Sequence, residues 1–332
     1  MPQAIPDQNK SPMRPYDIIG DIHGQADLLI ELLRKMSYED RNGAWRHPER
    51  RAIFVGDFVD HGPKQVEAVM IARRMVEAGS ALAILGNHDF NAIAWYLPDP
   101  ANPGEYLRLH CSEKNRRQHA EFLKEVAGKP MHRDIIDWFL ELPLWLDLPE
   151  LRVIHACWHS PFMEYLAPML RPEARLTKNL MLDMTREPES QAERDSPEAS
   201  LFKAADALTK GLEIELPLGR SFLDLYGTRR TRVRVCWWNS EATTYRTAAL
   251  VDNELRQCLP EDPLPPNVRI QVPNDKPIFF GHYGIHGSPN VLSATIACVD
   301  YGVNRGGPLC CYRWQGESKL DTDHFCSVMR QA

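Results

Sequence analysis

Apolar positions fall along this chain in two rhythms. Tyr16–Gly20 (YDIIG), Arg51–Val55 and Ala81–Leu85 are short, nearly continuous apolar runs, the pattern of buried strands. Between them the spacing becomes helical. Leu28, Leu29, Leu32 and Leu33 line one face of a helix from Gln25 to about Met36. Pro63–Ala78 predicts a second helix with proline in its first turn. A third follows Leu85 and runs to about Tyr96. Strand alternating with helix implies βαβ units and a parallel sheet.

The alternation then breaks. Residues 99–142 read as mostly helical, with a charged stretch at Glu113–Arg117, and resemble an insertion more than core. Leu144–Leu148 and Arg152–His155 return to strand. Residues 170–220 are polar and acidic. Their segment REPESQAERDSPEAS lacks apolar residues to bury, which predicts a cap or a partly disordered excursion. Arg232–Trp238, Pro277–Gly281, Ala294–Asp300 and Leu309–Trp314 read as late strands, and Pro260–Pro266 as a proline-rich loop. The expected organisation is a flexible arm over 1–15 and one domain over 16–332, with insertions at about 99–142 and 170–220.

Composition narrows the function classes. A 332-residue chain that is 43% apolar can build a sizeable core. Its formal charge of −6 argues against a general nucleic-acid or anionic-membrane binder, while leaving room for a local basic pocket. No run approaches the ~20 apolar residues of a membrane span, and residues 1–15 have no apolar stretch of the signal-peptide kind. Eight cysteines lack C-x-x-C spacing, which suits reduced thiols of a cytoplasmic protein better than a zinc ribbon.

Three motifs close the first three strands: Gly20-Asp21-Ile22-His23-Gly24, Gly56-Asp57-Phe58-Val59-Asp60-His61-Gly62 and Gly86-Asn87-His88-Asp89. Two later strands end on His155 and on Gly281-His282. Ligand sites in α/β sheets lie at the carboxyl ends of strands. A hydrolase using two metal ions needs carboxylates, imidazoles and an amide around cations about 3.5–4 Å apart, one carboxylate bridging them. Asp21, His23, Asp57, Asn87, His155 and His282 supply that set. Mixed nitrogen and oxygen donors suit Mn, Fe or Zn.

Together these residues resemble the calcineurin-like metallophosphoesterase superfamily, closest to its phosphoprotein-phosphatase branch. That branch includes bacterial symmetrical diadenosine tetraphosphate hydrolases and bacterial protein phosphatases. The resemblance is dense over 16–96 and thinner over 151–159 and 277–314. It implies an α/β fold, a four-layer sandwich of two mixed sheets flanked by helices. It implies that Asp21 and His23 bind a first metal, that Asp57 bridges, and that Asn87, His155 and His282 bind a second. It further implies attack by a hydroxide shared between the metals, with His88 protonating the leaving oxygen and Asp60 holding His88.

The chain departs from the branch in one telling place. The second motif there usually ends Asp-Arg-Gly; here it is Asp60-His61-Gly62. Histidine is shorter than arginine and makes no bidentate clamp, which implies a weaker grip on a dianionic monoester. Arg246 is a candidate for the arginine missing at 61. Arg229, Arg230, Arg232 and Arg234 are further candidates for phosphate contact, against an exposed strand face. Trp237, Trp238 and Tyr301 suit core packing better than base stacking. His110, His119, His132 and His159 match no motif and read as surface or core, and His286 reads as a loop residue. Asp300 reads as structural.

The function expected is metal-dependent hydrolysis of phosphoester or phosphoanhydride bonds in small phosphorylated molecules or nucleotides. A serine/threonine phosphoprotein phosphatase is the alternative enzyme. A catalytically silent metal-binding protein of the same fold is the alternative from another class.

Overall fold

The computed structural model describes residues 14–217, 219–223, 229–265 and 268–330. Most of the expected arm (1–13), and with it Pro266 of the proline-rich loop, lies outside the described residues.

The first half alternates as the apolar rhythm predicts. β1 (Tyr16–Ile19) leads to α1 (Ala26–Lys35). A hairpin follows, β2 (Glu39–Arg41) and β3 (Ala44–Arg46), then β4 (Arg51–Phe54), α2 (Gln65–Glu77), β5 (Ala81–Ala83) and α3 (Asn87–Tyr96). The hairpin escaped the periodicity reading, although Asn42-Gly43 is a two-residue turn signal and both residues take positive φ. Helices α4 (Glu113–Val126) and α5 (Pro130–Phe139) precede β6 (Trp145–Asp147) and β7 (Arg152–Ile154). Then come α6 (Ser160–Leu166), α7 (Lys178–Thr185), α8 (Gln191–Asp195) and α9 (Leu201–Lys210). The short strands β8 (Glu213–Glu215), β9 (Phe222–Leu223), β10 (Arg229–Arg230) and β11 (Arg232–Arg234) follow. The chain closes with α10 (Tyr245–Ala248), α11 (Asn253–Cys258), β12 (Ile278–Phe280), β13 (Ile296–Cys298), β14 (Leu309–Trp314) and β15 (Phe325–Val328).

Two mixed sheets form. One runs β15-β14-β1-β4-β5, with β1, β4 and β5 parallel and β14 antiparallel to β1. The other runs β13-β12-β7-β6, with β13, β12 and β7 parallel. Side chains alternate across each strand, and the alternation assigns two layers. Ile18, Ile53, Val55, Val153, Phe279, Ala297, Tyr312 and Trp314 form one cluster between the sheets. Their neighbours Ile19, Phe54, Ile154, Phe280 and Cys311 turn outward into the larger cluster shared with the helices. The Phe279 and Tyr312 rings meet 5.0 Å apart in the inner layer. Burying a ring of this size is worth about 2 kcal/mol, so this layer sets the spacing of the two sheets.

Both stretches expected as insertions contribute to the core. α4 and α5 bury Phe122, Val126, Ile135, Ile136 and Phe139 in the main cluster, and α7 and α9 add Leu180, Met181, Met184 and Leu208. α8, within the apolar-poor segment, buries nothing. The expected strand over 232–238 stops at Arg234, because Trp237 and Trp238 turn to pack on Phe280, each with ring centroids 5.0 Å away.

Candidate metal centre

β1, β4 and β5 run parallel in one sheet and β7 and β12 run parallel in the other, and the motif residues follow the ends of these five strands. Glycines let the ends crowd together. A Cβ at Gly86 would stand 2.2 Å from Asp57 N and Oδ1, and one at Gly281 would stand 2.1 Å from Asp21 Oδ1. His23, Asp57, Asp60, His61 and His282 all take positive φ, between 47° and 72°. Strain of about 1–3 kcal/mol per residue persists only where the surroundings impose it. Here the loops impose it on one another. His23 N donates to Asp57 O at 2.8 Å and Gly24 N to Phe58 O at 2.9 Å. Asp89 accepts from Asp57 N, Phe58 N and Gly86 N at 2.8–3.0 Å, tying the second motif to the third. His282 N donates to Asp21 Oδ2 at 3.0 Å, tying the last motif to the first.

Two triads result, and they share Asp57. Asp21, His23 and Asp57 bring ligand atoms within 4.8 Å of one another, and so do Asp57, His155 and His282. Asp57 Oδ2 lies 3.7 Å from His23 Nε2, while its Oδ1 lies 3.4 Å from His155 Nε2. Such separations are long for hydrogen bonds. They approach the roughly 3–3.5 Å expected between two donors that each stand about 2.1 Å from one cation. The tautomers fit as well. His155 Nδ1 meets Val55 O at 2.7 Å and His23 Nδ1 meets Val59 O at 3.1 Å, leaving each Nε2 to face the carboxylates. Asn87 Oδ1 lies 2.7 Å from His282 Nδ1 and 3.1 Å from His155 Nε2, and the reversed amide meets the same nitrogens. The buried His282 Nε2 has no hydrogen-bond partner among the described residues. This donor set fits a pair of divalent cations.

Electrostatics sort the histidines. Burial, then the neighbouring His88 charge, lowers His23 to about 3. Burial and the Arg234 charge hold His282 well below its ordinary value. Both are thus neutral at pH 7, as a ligand must be. His88 goes the other way. Burial would lower it, but Asp57 and Asp60 raise it to about 9. Among the carboxylates, burial, Asp300 and Asp57 raise Asp21 well above the usual range. Burial would also raise Asp57, but His155 and His88 pull it well below.

Residues 15–188, just over half of the chain, match the family model described as calcineurin-like phosphoesterase. The chain belongs to the calcineurin-like phosphoesterase family. A Bacillus velezensis protein named bis(5′-nucleosyl)-tetraphosphatase PrpE, asymmetrical, is 43% identical over 144 residues, which cover 42% of this chain and 55% of the relative. A Vibrio cholerae protein named bis(5′-nucleosyl)-tetraphosphatase, symmetrical, is 24% identical over 306 residues, covering 90% of this chain and 94% of that one. The chain spans about half the length of the PrpE relatives it matches. Among solved structures, a Saccharomyces cerevisiae protein serine/threonine phosphatase is 14% identical, covers 98% of this chain and 82% of its own, and has a TM-score of 0.47.

Around this candidate centre the remaining candidates separate. His88 Nδ1 meets Asp60 Oδ2 at 2.6 Å, both residues buried. His61 is exposed at the mouth, its ring 5.1 Å from His23 and 5.2 Å from His88. Partial burial, then the His88 charge, lowers it, so it carries little positive charge at pH 7. Arg246 is engaged by its own surroundings. α10 directs its Nε to Leu259 O at 2.9 Å and its guanidinium to Glu261. Arg232 pairs with Asp195 and Glu215. Arg234 is the member of the arginine run whose charge reaches His282. Trp237 and Tyr301 are buried, His286 is exposed, and Asp300 accepts from Gly302 N at 2.8 Å.

His119 was missed. It is buried, and its Nδ1 meets Asp60 Oδ1 at 2.7 Å. A signal existed, because His119 shares one helical face with Phe122 and Val126 at i, i+3 and i+7. No strand-end motif marks that face, so its target was invisible. His110 instead stacks between Trp95 and Tyr106, His132 packs on Tyr96, and His159 caps α6.

Proposed function

We propose that the protein is a binuclear metal-dependent hydrolase of phosphoester or phosphoanhydride bonds, acting on small phosphorylated molecules or nucleotides. The observation that carries this reading is the sharing of Asp57 between the two triads, with Oδ2 3.7 Å from His23 Nε2 and Oδ1 3.4 Å from His155 Nε2. Asp21, His23 and Asp57 would hold one cation; Asp57, Asn87, His155 and His282 would hold the other. The mixed donor set suits Mn, Fe or Zn. Bound there, two cations supply Lewis-acid stabilisation of phosphoryl oxygens and lower the pKa of an attacking water.

The chain's own residues do the rest. Asp60 fixes Nδ1 of His88, so Nε2 is the nitrogen left to hand a proton to the leaving oxygen. With its raised pKa, His88 holds that proton at neutral pH. His61 at the mouth replaces a permanent charge with a nearly neutral donor, which favours diesters and anhydrides over dianionic monoesters. A cavity of about 310 Å³ beside His61, bounded by Gln25, Leu28 and the Val303–Gly307 turn, gives the far half of a small substrate a place to sit. A larger cavity of about 1110 Å³ is lined by none of the site residues, and its Arg232 and Lys203 are already engaged. The eight free cysteines support a cytoplasmic working place, and no helix among the described residues is long and apolar enough to cross a membrane.

The test is a metal titration of the full chain with a chromogenic phosphodiester, a monoester, dinucleoside tetraphosphates and phosphopeptides. The names of the relatives put the tetraphosphates on that panel. Turnover with Mn, Fe, Zn, Ni or Co is expected, and His88→Ala should abolish it while metal content persists. Measured metal binding without turnover of any substrate overturns the hydrolase reading. Phosphopeptides outperforming every small substrate would favour the protein-phosphatase alternative.

A further inference from the structure

Asp60 is fully buried and both of its oxygens are taken. Oδ2 meets His88 Nδ1 at 2.6 Å and Oδ1 meets His119 Nδ1 at 2.7 Å. Its backbone N donates to Gln65 Oε1 at 2.6 Å. Asp60 is thus held at three points, two of them on its carboxylate, and one of those two comes from α4. The rest of that helix serves the same end. Gln118, the preceding residue, sets its amide nitrogen 3.4 Å from both ring nitrogens of His88. Its Oε1 accepts from Arg108 at 2.7 Å, and Arg108 also donates to Asn91 Oδ1 at 2.9 Å, one turn beyond His88 on α3. Two turns on, Glu125 accepts from Gln65 N at 2.7 Å and Val66 N at 2.9 Å, fixing the start of α2 just behind Asp60.

We propose that His119 is a positioning residue for proton donation by His88: its Nδ1–H holds Asp60 Oδ1 so that Oδ2 stays aligned on His88 Nδ1 and Nε2 faces the leaving oxygen. The inference rests on the hydrolase reading above. In the step concerned, a bond forms between water oxygen and phosphorus, the water's proton passing to solvent, while the bond from phosphorus to the leaving oxygen breaks. The electron pair left on that oxygen takes the proton of His88 Nε2. A carboxylate bonded on one oxygen only can rotate about its Cβ–Cγ bond, and each rotation swings the acid off line. The geometry also explains an otherwise odd burial. His119 Nε2 has no partner among the described residues and its ring packs against Phe122 and Trp95, with centroids 5.0 and 5.8 Å away. An imidazole there satisfies Asp60 at the cost of one stranded nitrogen.

The experiment compares full-length wild type, His119→Phe and His119→Asn, loaded with Mn²⁺, on two aryl phosphodiesters that differ only in leaving group. One releases p-nitrophenolate and the other the more basic phenolate. Residues that orient a functional side chain typically contribute about 10–100-fold. His119→Phe should lose about that much kcat on the phenolate substrate and only a few-fold on the p-nitrophenolate one, with KM and metal content unchanged. His119→Asn, whose amide nitrogen stands where Nδ1 stood, should recover most of the loss. If His119→Phe does not fold, His119→Met carries the same comparison. A second readout needs no turnover: the downfield Nδ1 proton resonance of His88 in the metal-free protein should shift in the Phe variant and hold in the Asn variant. Equal losses on both substrates, no loss, or a His88 resonance indifferent to His119 would overturn the assignment. A silent wild type whose His88 resonance still depends on His119 would sink the hydrolase reading and leave the positioning role standing.

Discussion

Removing His88 should change how the metal-free protein responds to pH, by an amount the geometry sets. In the fold, burial disfavours the charged ring, but Asp57 and the 2.6 Å contact with Asp60 outweigh burial and raise His88 to about 9. An unfolded histidine titrates near ~6.5. A group raised on folding contributes stability that is fully present below its unfolded pKa and is lost as pH climbs through its folded pKa. The window is therefore about pH 6.5 to 9, and at about 1.36 kcal/mol per pH unit the contribution is on the order of 3 kcal/mol. Asp60 reports the same pairing from the other side. Burial would raise it, but His119 and His88 hold it below the carboxylate range. Its part is lost only as pH falls below about 4, so the two shifts are not summed in one window. Urea unfolding in chelator at about pH 6, 7.5 and 9.5 measures the effect for wild type and His88→Gln. Wild type should lose about 3 kcal/mol relative to the variant across the upper window. Parallel pH profiles would refute the claim that His88 is held charged by its partners.

Three other outcomes follow from the same centre. Burial and the neighbouring carboxylates raise Asp21 well above the usual carboxylate range, so divalent metal binding should release protons, and more of them as pH falls; calorimetry in buffers of different ionisation enthalpy counts them, and buffer-independent heats would contradict it. His61→Arg should raise the ratio of monoester to diester turnover, since it restores a permanent charge at the mouth, and an unchanged ratio would remove His61 from substrate contact. Asp60→Asn should cut kcat by about 10²–10⁴-fold with metal content intact, and a loss confined to KM would point to binding instead.

The six candidate metal ligands were legible because each follows a strand and most sit beside a glycine, so local pattern and chemistry coincide in short segments. The phosphoesterase family was legible for the same reason. The support of Asp60 was not. His119 sits in a helix that reads as a charged insertion, and nothing local distinguishes a histidine aimed at a carboxylate from one packed in a core. Arg246 was legible only as a charge, because the sequence does not show that α10 turns it toward Glu261.

The sequence by itself determined the strand–helix rhythm, the donor types and their order along the chain, since these depend on neighbours a few residues apart. Only the tertiary structure decided which oxygen of Asp57 faces which triad, that α4 backs Asp60, and that the arginine acting on His282 is Arg234. Those relations join residues from about thirty to about a hundred positions apart. They are fixed by how two sheets pack through Phe279 and Tyr312 and by where helices close over them. Short-range pattern carries no information about that packing.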